Sequence, residues 1–163
     1  MLIDSSSAIL LYKTGLMDAC GRAYTLVISR SVMNELIVPG HEGAEYFARF
    51  ISEGSMIVSH EYRGCLLDLP LAGGERDIVL LYLSGQGEFI IIDDGQGAAY
   101  CRANHIPYIN ALLIPLALEY AGKIASGSSR HCLKALLDLG RYSREVKEYA
   151  AHCTAKMLES FMP

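Results

Sequence analysis

Short runs of apolar and β-branched residues alternate along this chain with longer segments whose apolar residues recur at helical spacing. The runs predict strands at residues 1–4, 26–29, 55–59, 89–93 and 107–109. Strands that alternate with helices are typical of a parallel sheet with helices on both faces. The pattern therefore predicts an α/β protein with three layers, α/β/α, around a central parallel sheet of roughly five strands.

Start and stop signals place two helices next to acidic residues. Ser31 is a candidate helix N-cap, and the Pro-Gly pair at residues 39–40 ends that helix, so Glu35 is expected on its first or second turn. The glycine pair at residues 73–74 opens another helix, with Glu75 at its N terminus. Both acids are therefore expected in the first turns of their helices.

The second half of the chain is predicted to be mostly helical. Helices are expected at residues 98–104 and 112–121, and again from about 127 to 161, with a candidate flexible joint at residues 127–129. Apolar residues of the last segment recur at three- and four-residue spacing, so this face is expected to pack on the body or on a partner subunit. The residues of the face are Val146, Tyr149, Ala150, Cys153, Met157 and Phe161.

Composition is typical of a single globular domain. The chain has 163 residues, of which 52% are hydrophobic and 20% charged, so one core is expected over residues 1–163.

The five cysteines form no C-x-x-C pair, which argues against a disulfide framework and a zinc knuckle. The first residues lack the basic and apolar regions of a secretion signal, and no apolar stretch reaches about 20 residues. The expected location is the cytoplasm, without a membrane partner.

Acidic residues stand where predicted strands end. Asp4 follows the first strand, and Asp93 and Asp94 follow the isoleucine run of the fourth. In open parallel sheets, ligands bind beyond the carboxyl ends of the strands. Each acid taken alone is also an ordinary helix N-cap, so position alone leaves both a functional and a structural role open.

Four motifs in order resemble the PIN domain, in particular the bacterial and archaeal branch close to VapC-type toxins. They are LIDSS at 2–6, VMNEL at 32–36, GERDIV at 74–79 and IIDDGQG at 91–97. The resemblance covers about residues 1–145 and includes GKI at 122–124 and LGRYS at 139–143. It implies a Rossmann-like PIN fold and an endoribonuclease that depends on Mg²⁺ or Mn²⁺, with one or two ions bound.

The resemblance also assigns the site. It matches the acidic quartet of the family to four residues, which are then catalytic and metal-binding: Asp4, Glu35, Glu75 and Asp94. Asp93 is either a further ligand or a neighbour that tunes the site. Ser6 matches the small polar residue that supports the first acid, and Gln96 stands where a further acid is frequent, so both are expected beside the ligands.

Carboxylate chemistry supports the same expectation independently. Hard oxygen ligands suit Mg²⁺ and Mn²⁺, and several carboxylates brought together without a cation take up protons because they repel one another. Bound ions polarise a phosphodiester and lower the pKa of a bound water. The net charge of −4 disfavours general nucleic-acid binding, but bound cations offset it locally.

The expected function is hydrolysis of RNA phosphodiester bonds, and the alternative is a non-catalytic PIN-fold module that binds RNA or protein. A dinucleotide-binding turn at residues 95–97 is disfavoured, because Tyr100 stands where the third glycine is needed. The expected partners are RNA and a second copy of the chain, paired through the apolar helices at 112–121 and 146–161. An antitoxin protein is a further candidate partner, if the chain is the toxin of a toxin–antitoxin pair.

Overall fold

A computed structural model of the protein describes residues 1–59 and 68–158. Neighbouring strands of its sheet are parallel, and they lie side by side in the order β3-β2-β1-β4-β5. The predicted α/β fold with a central parallel sheet of five strands is confirmed. The strands are β1 (Leu2–Ile3), β2 (Leu26–Ser29), β3 (Met56–Ser59), β4 (Ile90–Ile91) and β5 (Tyr108–Ile109).

Helices connect the strands throughout the part of the chain that is described, and a 3-10 turn at Ala111–Leu113 precedes the seventh helix. The helices predicted to carry Glu35 and Glu75 are both present, as the third and the fifth. The helices are α1 (Ser5–Lys13), α2 (Met17–Ala23), α3 (Arg30–Leu36), α4 (Ala44–Ser52), α5 (Gly73–Leu83), α6 (Gly95–Ala103), α7 (Ile114–Tyr120), α8 (Ser128–Leu139), α9 (Arg144–His152) and α10 (Ala155–Leu158).

The predicted start of α3 was wrong by two residues. Ser29, and not Ser31, is the N-cap, because its hydroxyl accepts the backbone N–H of Val32 at 3.1 Å. Two short helices, α2 and α4, were not predicted at all. Neither has a side-chain cap at its N terminus, so neither carries the usual sequence signal of a helix start.

The sheet is covered on both faces. Leu2, Ile3, Ile90 and Ile91 are completely buried, although successive residues of a strand point to opposite faces. The two central strands therefore contact packed side chains above and below, which agrees with the predicted three layers.

The order of the strands creates a crevice between β1 and β4. The chain runs outward from β1 through β2 to β3, and then returns to β4 on the other side of β1. Leu2 of β1 accordingly pairs with Val27 of β2 and with Ile90 of β4. In an open parallel sheet, ligands bind at the carboxyl ends of the strands where the order reverses. Asp4 follows β1 at this point, and Asp93 and Asp94 follow β4.

The C-terminal helices pack on the body of the same chain. Helices α8 and α10 both contact α7, in which Ile114, Pro115, Ala117 and Leu118 are buried, whereas Tyr120 at its end is 61% exposed. The segment predicted as helix from about 127 to 161 is interrupted twice, between α8 and α9 and again at Cys153 and Thr154. Phe161 of the predicted apolar face lies outside the described residues. No helix among the described residues is long and apolar enough to cross a membrane.

Residues 127–129 do not form the flexible joint that was expected. The backbone N–H groups of Gly127 and Ser129 donate to the carboxylate of Glu119 at 2.9 and 2.8 Å. These two bonds attach the start of α8 to the end of α7.

Candidate active site

Ser7 joins two acids at the crevice. Asp4 leaves β1 with only 2% of its surface exposed, and its Oδ1 accepts the Ser7 backbone N–H at 2.8 Å as the N-cap of α1. The Ser7 hydroxyl donates to Oδ2 of Asp93 at 2.7 Å. Asp93 follows β4, so one serine connects the ends of the two strands that border the crevice.

Asp93 has two further donors. The backbone N–H of Ala111 donates to its Oδ2 at 3.0 Å, and the Tyr142 hydroxyl donates to its Oδ1 at 2.6 Å. A carboxylate held by three donors has a fixed orientation. These contacts favour the interpretation of Asp93 as a neighbour that orients the site over its interpretation as a metal ligand.

Glu35 and Glu75 face a common space at the start of α5. A Cβ atom added to Gly73 would come 3.8 Å from Oε1 of Glu35 and 4.0 Å from Oε2 of Glu75. Because Gly73 has no side chain, this space stays open between the two carboxylates. The hydroxyl of Ser5, the residue after Asp4, donates to Oε2 of Glu35 and connects this pair to the first group.

Asp94 completes the arrangement from α6. Its Oδ1 accepts the backbone N–H groups of Gln96 and Gly97 at 2.8 and 2.9 Å, which makes it the N-cap of α6. A Cβ added to Gly97 would overlap the side chain of Ile92 and come 3.4 Å from the Cβ of Glu75. The start of α6 therefore lies close to α5, and Asp94 is near enough to Glu75 for its charge to raise the pKa of Glu75.

Burial and mutual repulsion raise the pKa values of these acids. Burial raises the pKa of Asp4 to about 7, and the charge of Asp93 adds to the effect. Burial also raises the pKa of Asp93, although Tyr142 and Ser7 donate to it. Burial first, and then the charges of Asp94 and Glu35, raise the pKa of Glu75. The site therefore holds negative charge that, within the described residues, no lysine or arginine neutralises through an ion pair.

The supporting residues differ from those expected. Ser6 is exposed, and its neighbours Ser5 and Ser7 make the contacts to the acids that were expected of Ser6. Gln96 is exposed and contributes its backbone N–H to Asp94.

Asp77 connects two of the helices that carry site residues. It accepts the hydroxyl of Ser31 and lies 3.9 Å from the guanidinium of Arg76. Ser31 is on α3 and Asp77 on α5, so this bond fixes the helices that carry Glu35 and Glu75.

Ser7, Tyr142 and Ala111 contact the acids of the site but were not among the predicted site residues. Of the three, Ser7 had a sequence signal for its contact. Ser7 stands three residues after Asp4, which is the spacing of an N-cap and the amide that it accepts. Tyr142 lies in the LGRYS stretch at 139–143 that the resemblance includes, but nothing in that stretch indicated its contact with Asp93. Ala111 had no signal, because only the fold brings it to Asp93.

The donor set fits a hard divalent cation, although the acids lie in linked pairs. The oxygens are carboxylate oxygens, which Mg²⁺ and Mn²⁺ prefer, and the open space at Gly73 separates two of them. Within residues 1–59 and 68–158, no three Asp, Glu, His or Cys side chains are grouped closely enough to hold one ion as they stand. Three of the described carboxylates could therefore hold one ion together only after at least one of them changes its rotamer.

Comparison with known proteins agrees with the motifs. The family model of the PIN domain matches residues 1–152, a range that includes the described strands and all the acids of the crevice. No curated protein and no solved structure gives a significant match. PIN domains are generally nucleases, and they typically use divalent metals. With a parallel five-stranded sheet, acids at its carboxyl edge and a match over nearly its whole length, the chain belongs to the PIN domain family.

Proposed function

We propose that this protein is an endoribonuclease that hydrolyses RNA phosphodiester bonds with Mg²⁺ or Mn²⁺ at the crevice between β1 and β4. The observation that carries the proposal is a linked group of five carboxylates. Ser7 connects two of them, Ser5 connects the group to a third, and the last two lie close enough for the charge of one to raise the pKa of the other. The five are Asp4, Glu35, Glu75, Asp93 and Asp94.

The roles of the residues follow from their positions. Asp4 and Asp94 stand at the ends of the two strands that border the crevice and are the proposed direct ligands of one or two ions. Glu35 and Glu75 have long side chains next to the open space at Gly73, so they are the carboxylates most able to change rotamer and complete the coordination. A bound divalent cation supplies Lewis-acid polarisation of the phosphodiester and lowers the pKa of a bound water.

The remaining polar residues keep these ligands in place. The backbone N–H of Ser7 fixes the Asp4 carboxylate, and the first turn of α6 fixes that of Asp94. Fixed ligands reduce the entropy lost when the site assembles. RNA is the proposed substrate because the motifs resemble the PIN branch that includes VapC-type toxins.

The test is cleavage of a panel of single-stranded and structured RNAs with Mg²⁺, with Mn²⁺ and with EDTA. We expect cleavage with the metals and none with EDTA. Asp4→Asn and Asp94→Asn keep the size and the acceptor oxygen of each side chain, so they should abolish turnover while RNA binding stays largely intact. Asp138→Asn, at an exposed position of α8, is the matched control and should cleave like the wild type.

Two results would count against the proposal. Cleavage that persists in EDTA, or that survives both substitutions, would mean that the chemistry takes place elsewhere. RNA binding by the wild type without cleavage in any metal would replace the enzyme with the alternative, a non-catalytic PIN-fold binding module.

A further inference from the structure

A tyrosine outside the acidic motifs reaches the site from the C-terminal part of the chain. Tyr142 lies between α8 and α9, and its hydroxyl donates to Oδ1 of Asp93 at 2.6 Å across 49 residues of sequence. Oδ2 of the same carboxylate accepts from Ser7 and from the backbone of Ala111. Among the described residues, Tyr142 is therefore the donor to Oδ1 of Asp93.

The hydrogen bond from Tyr142 to Asp93 is the first of a series of three that connects Tyr142 to Asp4. The hydroxyl of Ser7 donates to Asp93, and the backbone N–H of the same serine donates to Asp4. Asp93 is also the residue directly before Asp94 in the chain. A change in the orientation of Asp93 therefore reaches Asp4 through Ser7 and Asp94 through the backbone.

The packing around Tyr142 favours this position of its ring. A Cβ added to Gly140 would overlap the Tyr142 ring. Gly140 has a backbone φ of −89°, which any residue adopts, so the absent side chain matters here for space and not for conformational freedom. The glycine leaves the space that the ring occupies when it bonds to Asp93.

We infer that Tyr142 is a positioning residue of the site: its hydroxyl fixes the Asp93 carboxylate, which in turn holds Asp4 and Asp94 in the arrangement that binds a divalent cation. The inference rests on the proposed function. Without the hydroxyl, Asp93 keeps its two donors on Oδ2 but can pivot about them, and the site loses part of its organisation before any ion binds.

The test compares Tyr142→Phe with Tyr46→Phe in the full chain. The control also removes a tyrosine hydroxyl that donates to an aspartate, in this case Asp18 at 2.8 Å, which is not one of the five site carboxylates. Calorimetric titration with Mn²⁺ should show about a tenfold weaker affinity for Tyr142→Phe, the size expected for the loss of a hydrogen bond to a charged group. Tyr46→Phe should bind Mn²⁺ like the wild type.

Two further readouts separate positioning from general stability. At limiting Mn²⁺, Tyr142→Phe should lower kcat for RNA cleavage by about tenfold and leave KM for RNA unchanged, because the tyrosine acts on the metal ligands and not on the substrate. In a Ser7→Ala background, adding Tyr142→Phe should cost less than it does in the wild type, because the route through Ser7 to Asp4 is already broken and only the route to Asp94 remains; independent structural effects would multiply. Gly140→Ala should reproduce Tyr142→Phe, and it carries the same prediction if Tyr142→Phe does not fold.

The outcomes distinguish this inference from the proposed function. If the wild type binds Mn²⁺ and cleaves RNA, but Tyr142→Phe and Gly140→Ala match Tyr46→Phe, the inference is wrong and the function stands. If KM for RNA rises and Mn²⁺ affinity does not change, Tyr142 contacts substrate and the inference is again wrong. If the wild type neither binds Mn²⁺ nor cleaves RNA, both are refuted.

Discussion

Replacing Asp4 by Asn should stabilise the metal-free protein at pH 8 and should lose this advantage in mild acid. Asp4 is only 2% exposed, and burial raises its pKa to about 7, whereas an aspartate in the unfolded chain titrates near about 3.9. Between these pH values the folded protein holds a proton that the unfolded chain has released. The free energy of unfolding therefore falls as the pH rises from about 4 to about 7, and it is level above that range.

The size of the effect follows from the shift. Each pH unit between the two pKa values corresponds to about 1.4 kcal/mol, so the ionised Asp4 lowers the free energy of unfolding by at most about 4 kcal/mol at pH 8. Local relaxation reduces this value, and we expect about 2 kcal/mol, or about 4 to 8 °C in Tm for a chain of this length. Asparagine keeps the acceptor for the Ser7 backbone N–H, so the cap of α1 is retained.

The assay is thermal unfolding in EDTA at several pH values between 4 and 8. Asp138→Asn, at an exposed position of α8, is the control, and its Tm should change little at any of these pH values. Added Mn²⁺ should stabilise the wild type by mass action and Asp4→Asn much less. If Asp4→Asn is no more stable than the wild type at pH 8, or if its advantage does not depend on pH, the argument from burial is wrong.

Four other predictions concern packing, charge, assembly and biological role. Gly97→Ala should lower the free energy of unfolding, measured in urea, by about 1 to 3 kcal/mol, because the new Cβ overlaps Ile92. Gly95→Ala is the control, because a Cβ there meets nothing within 4 Å. An equal loss of stability in both variants would contradict the reasoning. Glu75→Gln should reduce the rise in Tm that Mn²⁺ gives, and an unchanged rise would remove Glu75 from the ligands. We propose a homodimer that pairs through apolar side chains left exposed on the protomer, such as Tyr120 and Leu139; sedimentation at micromolar concentration should show it, and a monomer alone would contradict this proposal. Expression of the wild type, but not of Asp4→Asn, should arrest growth if the protein is a toxin that an antitoxin neutralises; healthy growth with both would argue against this role.

The sequence predicted the sheet well because apolar runs report burial directly. The runs at 1–4 and 89–93 are longer than β1 and β4, which have only two residues each, because residues next to a strand are buried without joining its ladder. Because Asp4 and Asp94 follow two of these runs, the sequence was also sufficient to predict that both lie at the same edge of the sheet. Helices α2 and α4, which have no capping side chain, were missed, whereas a glycine pair and an apolar run were sufficient to predict α5 and α7, which also lack one.

The contacts that organise the site were much less predictable. Ser7 was within reach of the capping rule, but the adjacent Ser6 was chosen because it matched a family position. Tyr142 could not have been found from the sequence, because its contact with Asp93 depends on how α8 and α9 return to the sheet. Local patterns determine which residues lie at a strand end, whereas contacts between distant segments depend on packing that no local pattern encodes.

Anomalous X-ray scattering from Mn²⁺, in crystals of the full chain, would locate the ion on the protein. We expect a peak in the crevice between β1 and β4, with carboxylate oxygens of Asp4 and Asp94 among the ligands and with Glu35 or Glu75 in a new rotamer. Crystals of Asp4→Asn treated in the same way should lack the peak. A peak elsewhere on the protein, or no peak at a Mn²⁺ concentration that supports RNA cleavage, would show that the crevice is not the metal site.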